Sequence, residues 1–93
     1  MNKDNDKEYR FLLFVAFGQK NSVEALKNVK DFLERYLKDL YELKTIDVTK
    51  DSKFALEKGV YFTPMLIMTH PLPEAYLAGD MSDYERMKKT IVG

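Results

Sequence analysis

Val60-Tyr61-Phe62-Thr63-Pro64-Met65-Leu66-Ile67-Met68-Thr69 carries the decisive pattern. Met65–Thr69 is short, apolar and bounded by turn residues, which predicts a buried strand. Proline is excluded from a central strand and holds the preceding residue extended, so Thr63-Pro64 is a corner through which the chain enters that strand. An X-Pro bond is also where a cis peptide is inexpensive, although the sequence leaves the isomer of Thr63–Pro64 open. Toward the C-terminus, Pro71-Leu72-Pro73 turns the chain into a short strand, about Ala75–Ala78, and Gly79-Asp80 turns it again. Ser82 followed by Glu85 has the S-x-x-E pattern of a capping box, and Tyr84, Met87 and Ile91 then line one face of a final helix.

Toward the N-terminus, Gly59 is the expected left-handed stop of a short helix that starts at Asp51 or Ser52 and includes Phe54, Ala55 and Leu56. Before it, Tyr41–Val48 has strand propensity, and its charges at Glu42, Lys44 and Asp47 suit the edge of a sheet. A long helix precedes it. Leu26, Val29, Leu33, Tyr36 and Leu40 recur at spacings of three and four, Phe32 and Leu37 widen the stripe, and Asn21 with Glu24 has the residue types of its start. Tyr9–Phe17 is aromatic-rich and almost continuously apolar, as a central parallel strand covered on both faces must be. Residues 1–8 are polar and read as a tail outside a single domain of residues 9–93. The order βαβ, short helix, ββα is that of an α/β, thioredoxin-like fold: a mixed four-stranded sheet with helices packed on it. In that fold a cis proline usually precedes the third strand, where Pro64 stands.

Composition narrows the chemistry. The 93 residues carry 15 Lys+Arg and 15 Asp+Glu, and a net charge of zero argues against nucleic acid as a partner. No cysteine is present, so thiol redox chemistry and thiolate metal sites are absent, and one histidine cannot form a His-pair site. Neither a metal nor a cofactor is expected. The longest apolar run, Phe11–Phe17, is too short to span a membrane, and Met1–Glu8 has no apolar segment of a signal peptide, so a cytoplasmic protein is expected. Ser22 reads as a first-turn residue rather than an activating hydroxyl, and His70 as a solvated turn residue. Asp80, Asp83 and Glu85 read as helix-start carboxylates, and Met65, Met68, Met81 and Met87 as core. No enzyme is expected. The edge strand has two readings, an edge guarded by charge or a surface that accepts a partner's strand.

Three stretches resemble the KaiB family, the small partner proteins of the cyanobacterial circadian clock. They are Tyr9 through Val15-Ala16 followed by Asn21-Ser22-Val23-x-Ala25-Leu26, then Tyr41-x-Leu43-Lys44-x-Ile46-Asp47-Val48, and Thr63-Pro64 with Pro71-x-Pro73 and Gly79-Asp80-x-Ser82. The resemblance runs from Tyr9 to Arg86, and similar domains begin clock-associated sensor kinases. It implies a non-enzymatic adaptor that binds the ATPase ring of KaiC and recruits KaiA or a sensor kinase. It also implies two folds, a tetrameric ground state and a monomeric thioredoxin-like state that binds partners. By position, Tyr9 matches a tyrosine near the KaiC-facing surface and Lys44 a lysine on the edge strand that engages KaiA, with Tyr41 and Ile46 beside it. Gly59 stands where the family has a lysine used against KaiC, and Met68 replaces another basic residue. The alternative role is an interaction domain in a non-clock signalling or stress complex. Between the two folds, the thioredoxin-like one is expected, with a mainly monomeric protein rather than a homotetramer. Strand-forming residues after Arg86 are confined to Thr90-Ile91-Val92, whereas the helix signals around Ser82 and Glu85 agree with one another.

Overall fold

The sheet is built outward from its most apolar strand. The computed structural model describes residues 8–93, so the polar stretch 1–8 lies, apart from Glu8, outside the described residues. Strand β1 (Tyr9–Val15) pairs in parallel with β2 (Tyr41–Asp47) and antiparallel with β3 (Met65–His70), which pairs antiparallel with β4 (Ala75–Ala78). The strand order is β2-β1-β3-β4, a mixed sheet with β2 and β4 at its edges. Helix α1 (Lys20–Tyr36) joins β1 to β2, α2 (Ser52–Glu57) lies between β2 and β3, and α3 (Tyr84–Ile91) follows β4. This is the thioredoxin-like α/β architecture.

Alternation along β1 divides the core. Phe11, Leu13 and Val15 point to one face, where Ala25, Val29, Phe32 and Leu33 of α1 and Met87 and Ile91 of α3 cover them. Phe14 points to the other face, which is thinner: Ile46, Ala55, Val60, Met65 and Ile67 surround it, and α2 is its helical cover. Both faces of β1 are therefore dry, which is why its sequence does not alternate. Met65, Met68, Met81 and Met87 are all buried as core.

Three local expectations are corrected. Helix α1 is capped not by Asn21 but by Gln19, without a side-chain cap bond, because Ser22 turns inward and its Oγ accepts the Ala16 N–H at 3.0 Å. That tertiary bond, made by a fully buried hydroxyl, sets the start of the helix and leaves Asn21 in its first turn. Leu40 lies past the end of α1 and is exposed, and Ala25 rather than Leu26 completes the buried stripe. The Ser82–Glu85 capping box does not form. Asp83 is the N-cap of α3, its Oδ1 accepting the Arg86 N–H at 3.0 Å, while the Ser82 N–H is taken by Asp80 Oδ1 at 3.0 Å. A carboxylate one residue nearer the helix makes a charge-assisted cap and meets the positive end of the dipole, so it outcompetes the serine. Glu85 keeps a place in the first turn.

A polar seam fastens α3 to α1. The Tyr84 hydroxyl donates to Asp31 Oδ2 at 2.8 Å, its ring meets Phe32 edge-on at 5.8 Å, and Arg35 lies over it. Asn28 Nδ2 donates to the Asp80 carbonyl at 2.9 Å. Burial first, then the bond to Asp31, raises the Tyr84 pKa above that of a free phenol.

Candidate functional site

Where thioredoxin-fold enzymes hold a thiol, at the loop entering the first helix, this chain has Phe17-Gly18-Gln19. Ser22 is spent on the Ala16 N–H inside the protein. His70 pairs with Arg10 at the opposite end of the sheet, about 20 Å of strand away at roughly 3.3 Å per residue. No serine–histidine couple is assembled. His70 is exposed, its Nδ1 3.1 Å from the Thr69 hydroxyl. Among the described residues no cluster of His, Cys, Asp or Glu could hold a metal ion, and no helix is long and apolar enough to cross a membrane.

The same end of the sheet is instead apolar. Phe14 pairs with Met65, so Phe17 and Phe62, each three residues beyond that pair, leave adjacent strands together. Phe17 is 45% exposed, Phe62 62% and Tyr61 77%, and Leu56 of α2 is also exposed. Val60, between them and α2, is buried, and Gly59 at φ +77° makes the left-handed turn that throws Tyr61 and Phe62 outward. The Thr63–Pro64 bond is cis, Pro64 is fully buried, and its carbonyl accepts the Gly79 N–H at 3.1 Å; Gly79 itself lies at φ +107°. Sequence reasoning missed Tyr61 and Phe62. The signal was there: two aromatics between a helix stop and a proline, with no place in either apolar pattern.

The four residues singled out on β1 and β2 do not form one surface. Tyr9 and Tyr41 are register partners at the start of their strands, beside α1, and the Tyr41 hydroxyl donates to Glu34 at 3.0 Å. Burial, ahead of the Glu34 bond, raises the Tyr41 pKa. Lys44 faces the other way and is exposed on the outermost strand, two residues from Glu42, which reaches Arg10 at 3.7 Å. Ile46 shares that face but is buried against α2, so in this fold it supports the edge from beneath. Met68 is likewise buried, which accounts for an apolar side chain at that position.

Asp47, at the end of β2, and Asp80, between β4 and α3, both have lowered pKa values. Asp47 accepts the Thr49 hydroxyl at 2.7 Å and the Thr49 N–H at 3.0 Å, and these bonds hold its pKa below the ordinary value. Ser82, through its hydroxyl and its N–H, does the same for Asp80. A depressed folded pKa supplies stability that is complete above the unfolded value, near 4, and is lost as pH falls through the folded one. Urea midpoints are therefore expected to hold steady from about pH 7 to pH 5 and to decline below about pH 4. The Asp47→Asn/Asp80→Asn variant should show a shallower decline.

Comparison with known proteins bears on the fold and the family. The family model for the KaiB domain matches residues 12–91. The circadian clock oscillator protein KaiB of Nostoc sp. is 42% identical over 87 residues, spanning 94% of this chain and 80% of that protein. Its Synechococcus elongatus counterpart is 42% identical over 81 residues, spanning 87% and 79%. Among solved structures, the N-terminal domain of Synechococcus elongatus SasA superposes with a TM-score of 0.75 at 19% identity, over 92% of this chain and 85% of that one. Fasciola hepatica thioredoxin superposes at 0.74 with 16% identity, over 96% and 83%. The structural likenesses establish the thioredoxin-like fold, and the sequence matches establish the lineage: the chain belongs to the KaiB family.

Proposed function

We propose that the protein is a non-catalytic, cytoplasmic adaptor of a circadian or timing system that docks on a KaiC-type ATPase through the end of the sheet carrying Leu56, Tyr61 and Phe62. One observation carries this reading. The end of the sheet at which thioredoxin-fold enzymes hold their thiols is sulfur-free, and the neighbouring α2–β3 loop displays Tyr61 and Phe62 beyond the left-handed Gly59. Exposed aromatics on a rigid frame are the residue types that dominate protein–protein binding energy. Gly59, at the position of the KaiC-contacting family lysine, lies within this surface, so aromatic burial here replaces a charge contact. The outer edge of β2, with Lys44 exposed and no strand paired on its outer side among the described residues, is left for a second partner such as KaiA or a sensor kinase. Co-sedimentation with a KaiC-type ATPase ring, with and without nucleotide, tests the reading. Binding at about 1–10 μM in at least one nucleotide state is expected, and no binding at roughly 100 μM in any state rejects it.

A further inference from the structure

The two edges of the sheet differ in charge. Edge strand β2 carries Glu42, Lys44 and Asp47. Edge strand β4 carries no charge, and Glu74 is the sole charged residue from Pro71 to Gly79. Charge guards a sheet edge against other strands, so β2 is guarded and β4 has only its short length to protect it. Among the described residues no strand pairs with the outer side of β4. Its outward hydrogen-bonding groups follow from the register. The Gly79 N–H points inward, to the Pro64 carbonyl at 3.1 Å, and this pair continues the ladder in which Met65 faces Ala78 and Leu66 faces Leu77. Successive residues of an antiparallel strand turn their N–H and C=O to alternate sides. Leu77 and Ala75 therefore turn theirs toward β3, and Tyr76 and Ala78 turn theirs outward. The Tyr76 side chain is 47% exposed, and Ala78 is exposed as well.

We propose that β4 is a self-association edge, on which two copies of this chain pair β4 against β4, antiparallel, about a two-fold axis at Tyr76. In that register Tyr76 meets Tyr76 of the second copy as a hydrogen-bonded pair, and Glu74 meets Ala78 at either end. The two Glu74 carboxylates then lie about 13 Å apart along the strands, at roughly 3.3 Å per residue, so no like charges face each other. Charge also selects a second copy for β4 and not for β2. The same pairing of β2 about its midpoint sets Lys44 directly against Lys44, which is destabilising. The contact uses the same patch on both copies and consumes both β4 edges. Only the charged β2 edges remain outermost, so the assembly closes at two. Strands of four residues bury well under the ~1,200 Å² of a stable interface, so the pairing is weak, with a Kd of about 0.5 mM. At about 50 μM the chain is therefore mainly monomeric. The pairing uses the edge opposite β2 and does not depend on the ATPase-binding surface.

Sedimentation equilibrium of the wild-type protein from about 10 μM to about 2 mM is expected to show monomer and dimer and no larger species. Over the same range the amide resonances of Tyr76 and Ala78 should move with concentration, and those of β2 should not. Tyr76→Lys, which sets two cations in direct opposition, should weaken the dimer at least roughly tenfold. Ala78→Pro should do the same, because it removes an outward N–H and no bond to β3. Lys44→Glu should leave the association unchanged. A wild-type protein that stays monomeric up to about 2 mM, or resonance shifts that spare Tyr76 and Ala78, would overturn the proposal. So would a dimer that survives both β4 substitutions, or one that responds to Lys44→Glu.

Discussion

Phe14→Ala is expected to destabilise the domain by about 3–5 kcal/mol, the usual cost of emptying a large aromatic site in a core. Phe14 is fully buried, its ring lies 5.8 Å from that of Phe54, and it forms the centre of the smaller cluster with Ile46, Ala55, Val60, Met65 and Ile67. A six-residue helix cannot shift far enough to refill that space without breaking its own packing. A domain of this size has a total of roughly 5–15 kcal/mol to lose, so the urea midpoint should fall by about a fifth or more with little change in slope. A loss below about 1 kcal/mol would show that α2 does not pack on the sheet as described.

A Phe62→Asp/Tyr61→Ser variant should behave in the opposite way. Both side chains stand largely in solvent, so stability should stay within about 0.5 kcal/mol of wild type. Affinity for a KaiC-type ATPase should fall by roughly 100-fold or more, because two aromatic anchors are removed and a charge is left in a desolvated contact. Lys44→Glu, on the outer strand, serves as the control: it should leave that affinity unchanged and weaken a partner that pairs with β2. ATPase affinity that follows Lys44 and ignores Phe62 would assign the two surfaces the other way round.

The fold was legible because its strongest signals are local and agree with one another. Tyr9–Val15 is apolar on both faces, Thr63-Pro64 marks the entry to β3, and Gly59 ends α2; each is set by backbone chemistry that neighbouring residues reveal. The helix starts were less legible. Ser22 has the look of a first-turn serine, and its bond to the Ala16 N–H depends on how the β1–α1 turn folds back. Ser82 and Asp83 both suit an N-cap, and the choice rests on Asp80 claiming the Ser82 N–H. The candidate site was the least legible part. Strand spacing places Lys44 and Ile46 on one face, but the sequence does not say that α2 buries Ile46 and leaves Lys44 in water. Tyr61 and Phe62 fit neither the strand nor the helix pattern, and their outward placement beyond the Gly59 turn is set by the tertiary fold.

We propose that the thioredoxin-like state itself meets the ATPase, through the loop that joins α2 to β3. Backbone resonances of the labelled protein, alone and with the N-terminal ring of a KaiC-type ATPase, test it directly. Helical shifts across Asp83–Thr90 are expected in the free, monomeric protein and should persist in the complex, with broadening concentrated at residues 54–63. Extended shifts across Asp83–Thr90 together with a tetramer on sizing, or broadening that spares residues 54–63, would contradict it.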